Sequence, residues 1–206
     1  MSAKDSVWIG ADPGGKKNFG LAILKSNGSA HTYCVDFVDQ AIELVIQHVH
    51  DVHATPAGVG VDAPLWWSSG RSSGRQADEW LRDRYGLSGG QVQSANSLRG
   101  AALVQGAMFV QRMREQFPDV GVTEAHPKAV LKALGISWGA FTKRFSVTVE
   151  VKDEQKHERD AVISAVAARE GFERRWPNDL SIGRHPREQD PSSFWLAPIH
   201  YYWPDE

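Results

Sequence analysis

Cysteine is nearly absent from this sequence of 206 residues, and no apolar stretch approaches the length that a membrane-spanning helix requires. Cys34 has no second cysteine to pair with, so no disulfide can form within the chain, as is usual in a reducing compartment. Residues 1–6 are mostly polar and lack the apolar run of a signal peptide. These absences predict a cytoplasmic protein with no membrane partner.

Acidic residues exceed basic ones only slightly. The chain carries 23 Lys and Arg against 25 Asp and Glu, and its formal net charge is -2. A protein that coats nucleic acid through a broad basic face is therefore not expected, although a local basic groove is compatible with this balance. Hydrophobic residues make up 41% of the chain and charged residues 23%, which is typical of a globular protein.

The length suits a single domain that spans residues 1–206. Regular periodicity occupies about residues 7–171. It predicts strands at 7–12, 19–24, 31–37, 57–62, 120–124 and 145–152, and helices at 38–50, 76–85, 98–117, 128–134 and 153–170. Residues 172–206 are rich in proline and tryptophan and have no regular period. We expect them to form an irregular tail that packs over the domain through Trp195, Tyr201, Tyr202 and Trp203.

Three of the predicted strands end in an acidic residue. Asp12 precedes Pro13, Asp62 lies two residues before a proline, and Glu124 lies three residues before one. If these strands are neighbours, their acids meet at one edge of the sheet. An anion near a sheet core is stable only when it is hydrogen-bonded or paired with a cation. The ordinary alternative is that Asp12 and Asp62 simply begin turns, a position that aspartate favours.

A fourth acid lies on the helix predicted at 153–170. Asp160, Ile163 and Ala167 are spaced as i, i+3 and i+7, so Asp160 shares the side of the helix that faces the sheet. His157 lies one turn earlier on that side. The helix should therefore direct both side chains toward the strand ends. The alternative is an acid placed near a helix start by the helix dipole, an effect that is weak several residues into the helix.

Other motifs have weaker support. Gly10-x-x-x-x-Gly15-Lys16 is close to a phosphate-binding loop, but Lys17 replaces the Ser or Thr that binds magnesium and a strand follows instead of a helix. The histidines at 48, 50 and 53 lack the spacing of a zinc site and are expected at the surface. Five arginines form the densest positive cluster and could contact nucleic acid or simply face solvent. They are Arg71, Arg75, Arg82, Arg84 and Arg99.

The acidic motifs together resemble the RNase H-like superfamily. The segment Ile9-Gly10-Ala11-Asp12-Pro13-Gly14 resembles the first motif of RuvC-type Holliday-junction resolvases and of YqgF proteins. His157-x-x-Asp160-Ala161 resembles their last motif. Val61-Asp62-Ala63-Pro64-Leu65, Arg75-x-x-Asp78 and Glu124-x-His126-Pro127 are similar to a domain-of-unknown-function family described as predicted RNase H-like nucleases. The resemblance covers residues 7 to about 171.

The resemblance implies an α/β fold in which a mixed five-stranded sheet, its first three strands antiparallel, is flanked by helices. It implies a nuclease that hydrolyses phosphodiester bonds with Mg²⁺ or Mn²⁺. Asp12 would bridge the metal ions, and Asp62 and Asp160 would be further ligands. Glu124 would also be catalytic, and His157 would be a ligand or a proton acceptor. The residues expected to bind the nucleic acid substrate are Lys16, Arg75 and Arg82.

Two other functions remain open at this stage. Actin-like ATPases and phosphotransferases also begin with an Asp-Gly hairpin on a related sheet, but they need two such domains. A catalytically silent binding module of the same fold would retain the acids by ancestry alone. The sequence leaves open the type of nucleic acid and the oligomeric state.

Overall fold

A five-stranded mixed sheet forms the centre of the computed structural model, which describes residues 6–67, 75–95, 98, 100–152, 154–182 and 198–204. Its strands are β1 (Ser6–Asp12), β2 (Phe19–Lys25), β3 (Ala30–Val35), β4 (Thr55–Val61) and β5 (Gly121–Glu124), in the spatial order β3-β2-β1-β4-β5. The first three strands are antiparallel, whereas β4 runs parallel to both β1 and β5. The predicted α/β class and mixed five-stranded sheet are confirmed.

Six helices in the described residues flank the sheet. They are α1 (Val38–Asp51), α2 (Gln76–Tyr85), α3 (Ala101–Gln116), α4 (Pro127–Leu134), α5 (Trp138–Arg144) and α6 (Lys156–Phe172). The bounds of the predicted helices differ from these by a few residues, apart from α2, which is unchanged. Helix α6 lies along one face of β1, β2 and β4, and α1 and α3 pack against each other on the opposite face. None of the described helices is both long enough and apolar enough to cross a bilayer.

Glycines in the sheet let α6 lie directly on the strands. A Cβ at Gly10 would collide with the carbonyl oxygen of Ala161, and one at Gly60 would collide with that of Ser164. Side chains alternate between the two faces of a strand, so Val61, next to Gly60, points to the other face and lies near Gly106 of α3. Because Gly10 and Gly60 have no side chains, the backbone of α6 lies unusually close to the strands.

The predicted strand at 145–152 is wrong. The helix α5 ends immediately before it, and Val147 donates a backbone hydrogen bond back to Thr142, which closes the end of that helix. Ser146 has a positive φ of 52°, which interrupts extended backbone. Only Thr148 pairs with another segment, through an isolated parallel bridge to Ser29. The alternating valines thus have the pattern of a strand, although the segment directly follows α5 and forms none.

The C-terminal segment is more regular than expected where it is described. Two short strands, β6 (Asn178–Asp179) and β7 (Tyr202–Trp203), pair as an antiparallel ribbon. Residue His200 forms a parallel bridge with Thr123, so the segment also attaches to the β5 edge of the main sheet. Trp203 is buried and donates its indole hydrogen bond to the Tyr85 hydroxyl at 2.9 Å. The expected contact through Trp195 lies outside the described residues.

Candidate functional site

Asp12 and Asp62 lie side by side at the carboxyl ends of two parallel strands. Ala11 of β1 pairs with Val61 of β4, and the amide of Asp62 extends this ladder by donating to the Ala11 carbonyl at 2.8 Å. Gly10 and Gly60, two residues earlier, face α6. Because side chains repeat their direction every second residue, both aspartates point to the α6 side.

Helix α6 brings Asp160 to the same place. Its backbone lies against Gly10, so even a short side chain in its second turn reaches the strand ends. One oxygen from each of Asp12, Asp62 and Asp160 lies within 4.8 Å of the others. We call these three residues the aspartate cluster. The geometry gathers residues that are separated by almost 150 positions in the sequence.

Burial and mutual repulsion both act on the carboxyl groups of the aspartate cluster. Burial raises the pKa of Asp62 well above its usual value, and the charges of Asp12 and Asp160 raise it further. Burial also raises the pKa of Asp12, although contact with His157 partly opposes this. Lys128, near the start of α4, lowers the pKa of both carboxyls. A proton or a bound cation would therefore stabilise the carboxyls of Asp12 and Asp62 at this site.

His157 and Arg159 each contact one member of the cluster. Nδ1 of His157 is 2.6 Å from Oδ2 of Asp12, and this hydrogen bond raises the pKa of the imidazole. Nε of Arg159 donates to Oδ1 of Asp160 at 3.0 Å. Each contact occupies one carboxylate oxygen of Asp12 or Asp160, and within the described part of the chain the second oxygen of each remains open to another ligand.

Glu124 is not part of the cluster. It pairs in register with Val61 rather than with Asp62, so it points to the opposite face of the sheet. Both of its oxygens accept hydrogen bonds from Arg75 at 2.7 Å, and one also accepts from the amide of Leu65 at 2.9 Å. Glu124 thus fixes the chain just after Asp62, and it lines the same groove as Asp12 and Asp62 without joining the aspartate cluster.

The expected substrate-binding arginine Arg75 is buried, with 1% of its surface exposed. Its guanidinium pairs with Glu124 and Asp78 and lies 4.0 Å from the centre of the Trp66 ring. A guanidinium in this position cannot reach a phosphate in solvent. We call Arg75, Asp78 and Glu124 the buried ion triad. It joins α2 to β5.

The other two expected substrate contacts also lie away from the cluster's groove. Arg82 donates from Nη1 to the Val92 carbonyl at 3.0 Å and so holds the loop that follows α2. Lys16 is exposed in the turn between β1 and β2. Neither belongs to the described residues that line an open groove of about 210 Å³ around Asp12 and Asp62.

Two lining residues of this groove were missed as site residues: His126 and Lys128. Nε2 of His126 is 2.7 Å from the Gln91 carbonyl, and its Nδ1 is 3.9 Å from Oδ1 of Asp62. Burial lowers the pKa of this imidazole. The available signal in the sequence was their position soon after β5, since Asp62 likewise follows the end of β4.

A family model described as "Protein of unknown function (DUF429)" matches residues 10–185 of the chain. The matched span contains every member of the aspartate cluster and the buried ion triad. No curated protein and no solved structure matches the chain.

Proposed function

The chain belongs to the DUF429 family of proteins of unknown function, and we propose that it is a metal-dependent nuclease of the RNase H-like type. Its activity would be hydrolysis of phosphodiester bonds in nucleic acid. The observation that carries this proposal is the convergence of Asp12, Asp62 and Asp160 within 4.8 Å at the strand ends. The strand order and the antiparallel first three strands agree with the fold that the sequence motifs imply.

The donor set of the aspartate cluster fits Mg²⁺ or Mn²⁺. Carboxylate oxygens are the ligands that these hard cations prefer. Two carboxylates about 4 Å apart repel each other by about 4 kcal/mol at an effective dielectric of 20, and a divalent cation between them reverses the sign. Burial is the main cause of the raised pKa of Asp12 and of Asp62, and the charges of neighbouring aspartates raise both pKa values further. Asp12, Asp62 and Asp160 would hold the ion.

The residues around the aspartate cluster suit hydrolysis of a phosphodiester. A bound divalent ion supplies Lewis-acid stabilisation of the phosphate and lowers the pKa of water. His157 hydrogen-bonds Asp12 through Nδ1, so its other nitrogen can carry a proton to or from the reaction. Lys128 lines the groove and provides positive charge for a phosphate. The groove is open, which suits a polymeric substrate.

A nuclease assay tests the proposal. We expect cleavage of single- or double-stranded DNA or RNA with Mn²⁺ or Mg²⁺, and none with a chelator. Asp12→Asn, Asp62→Asn and Asp160→Asn should each reduce the rate by about 10³ or more, because metal ions contribute several kcal/mol to such transition states. Asp51→Asn is the matched control, since that side chain is 61% exposed at the end of α1.

Two results would contradict the nuclease. One is the lack of metal-dependent cleavage of all four substrates, and the other is full activity in Asp12→Asn. Tight ATP binding in calorimetry would favour the phosphotransferase instead. Failure of Mn²⁺ to raise the melting temperature would favour a silent binding module.

A further inference from the structure

One hydrogen bond fixes the tautomer of the neutral His126 imidazole. Nε2 lies 2.7 Å from the backbone carbonyl oxygen of Gln91. A carbonyl oxygen can only accept, so Nε2 must carry the hydrogen of this bond. When the imidazole holds one proton, the lone pair is therefore on Nδ1. The loop that contains Gln91 thus decides which nitrogen can act as a donor to a metal.

That nitrogen lies near Asp62, one member of the aspartate cluster. Nδ1 is 3.9 Å from Oδ1 of Asp62, which is too long for a hydrogen bond between them. Two donors that each lie about 2.1 Å from one ion can be up to about 4.2 Å apart, so this spacing suits a shared cation. His126 and Asp62 also line the same groove.

The backbone holds His126 in this place. The amide of Ala125, its neighbour, donates to the Val61 carbonyl at 2.8 Å, which continues the parallel ladder past the end of β5. Pro127 then begins α4. The ring is therefore fixed by the sheet on one side and by the Gln91 carbonyl on the other. Such orientation of an imidazole by a carbonyl is typical of histidines that bind metals.

We propose that His126 gives a nitrogen ligand, through Nδ1, to a cation that Asp62 binds, and that this ligand makes the site favour Mn²⁺ or Co²⁺ over Mg²⁺. The inference rests on one part of the proposed function, which is that the aspartate cluster binds a divalent cation. Imidazole nitrogen coordinates transition metals well, whereas Mg²⁺ prefers oxygen ligands in a strict octahedron. An all-carboxylate site has no such source of selectivity.

Pulsed electron paramagnetic resonance of bound Mn²⁺ tests the ligand directly. The protein is labelled with ¹⁵N-histidine, and coupling of ¹⁵N to Mn²⁺ is measured. We expect coupling in the wild type and in His157→Gln, and its loss in His126→Gln. His50→Ala removes an exposed histidine of α1 and should leave the coupling unchanged.

Two substitutions separate metal ligation from the loop contact. His126→Gln places its amide nitrogen near the position of Nε2, so it can still donate to the Gln91 carbonyl but offers no donor toward Asp62. His126→Asn places an amide oxygen near the position of Nδ1. Mn²⁺ affinity should fall about tenfold or more in His126→Gln, while Mg²⁺ affinity changes little. His126→Asn should bind both ions with reduced preference for Mn²⁺.

The inference would be overturned by bound Mn²⁺ that shows no histidine coupling in the wild type, or by coupling that persists in His126→Gln. Equal losses of Mn²⁺ and Mg²⁺ affinity in a folded His126→Gln would also overturn it, because they would indicate a purely structural role. Nitrogen coupling without nucleic acid cleavage would support the ligand and refute the nuclease. A protein that binds no Mn²⁺ would refute both.

Discussion

At the scale of single residues, Asp62 destabilises the metal-free protein. Burial and the charges of Asp12 and Asp160 raise its pKa in the folded state well above the unfolded value. The folded state therefore binds more protons, and its stability falls as the pH rises from about 4 through the raised pKa. Above that range, Asp62→Asn removes a charge that the fold accommodates poorly.

We expect Asp62→Asn to raise the melting temperature at pH 8 in a chelator by several degrees, and to change it little at pH 4. With Mn²⁺ the wild type should instead have the higher melting temperature, because only the wild type gains stability from binding at the intact cluster. Thermal unfolding with and without Mn²⁺ measures both effects, and Asp51→Asn serves as the control. A lower melting temperature for Asp62→Asn at both pH values would contradict this account.

The buried ion triad predicts the opposite response to substitution. Arg75 pairs with Glu124 and Asp78 at 2.6 to 2.7 Å, and all three side chains are buried. Arg75→Met leaves two buried carboxylates without their cation and should reduce the free energy of unfolding by about 3–5 kcal/mol in urea denaturation. Arg75→Lys should also be destabilising, since an ammonium cannot form the paired contacts of a guanidinium.

Arg112→Met is the matched control for Arg75→Met. The Arg112 side chain pairs with Glu115 at 3.0 Å and is half exposed to solvent, so its loss should change the urea midpoint little. Similar urea midpoints for Arg75→Met and the wild type would show that the triad does not stabilise the fold.

The sequence suffices to propose where a residue lies when that placement depends on a single strand or helix. Asp12 and Asp62 end strands, and Asp160 lies on the buried side of a helix, so local patterns sufficed to propose their convergence. Glu124 also ends a strand, but the register of β5 against β4 turns it to the other face. Register depends on pairing between distant segments. For the same reason the Gln91 contact of His126 could not be foreseen.

At the scale of elements, the approach of α6 to the sheet depends on Gly10 and Gly60. A methyl group at either position would meet backbone atoms of α6, which cannot move aside as a flexible side chain would. We expect Gly10→Ala and Gly60→Ala to destabilise the protein by about 1–3 kcal/mol or more. Any folded fraction should show a smaller thermal shift with Mn²⁺, because Asp160 is displaced from Asp12 and Asp62.

Gly139→Ala is the matched control for the two sheet glycines. Gly139 lies in α5 with open space at its Cβ position, so alanine should stabilise the protein by about 0.5–1 kcal/mol. Melting temperature and Mn²⁺ shift measure all three variants. Tolerance of Gly60→Ala equal to that of Gly139→Ala would contradict close packing as the reason for the glycines.

Helices and strands could be predicted from the sequence where their hydrophobic pattern extends over enough residues. The apolar alternation of β1 and the stripe of α1 are local properties, and both were found with small errors at their ends. Helix α5 has seven residues, too few for a clear period, and the valines after it suggested a strand instead. Ser137 at its start, which accepts from the Ala140 amide, was the available signal.

At the scale of the whole molecule, the C-terminal ribbon ties the end of the described chain to the sheet. Asp179 in β6 accepts hydrogen bonds from the side chain of His200, the hydroxyl and amide of Ser181, and the amide of Tyr201. His200 in turn donates its backbone amide to Val122 of β5. A single carboxylate thus connects the ribbon to the edge of the main sheet.

This arrangement predicts a pH-dependent stability with the sign opposite to that of Asp62. Burial alone would raise the pKa of Asp179, but its hydrogen bonds with His200, Ser181 and Tyr201 outweigh burial and lower the pKa. Its contribution to stability is therefore complete above the unfolded value of about 3.8 and is lost as the pH falls through the lower folded pKa. Asp179→Ala should reduce the free energy of unfolding by about 1–3 kcal/mol at pH 7, because it leaves buried donors unpaired.

Urea denaturation at pH 7 and pH 3 measures this effect, with Asp39→Ala as the exposed control. We expect the difference between Asp179→Ala and the wild type to shrink at pH 3, because Asp179 of the unfolded chain is then largely protonated. The same loss at both pH values would instead mean that Asp179 acts through packing, and the ribbon would then be held by its buried aromatic rings.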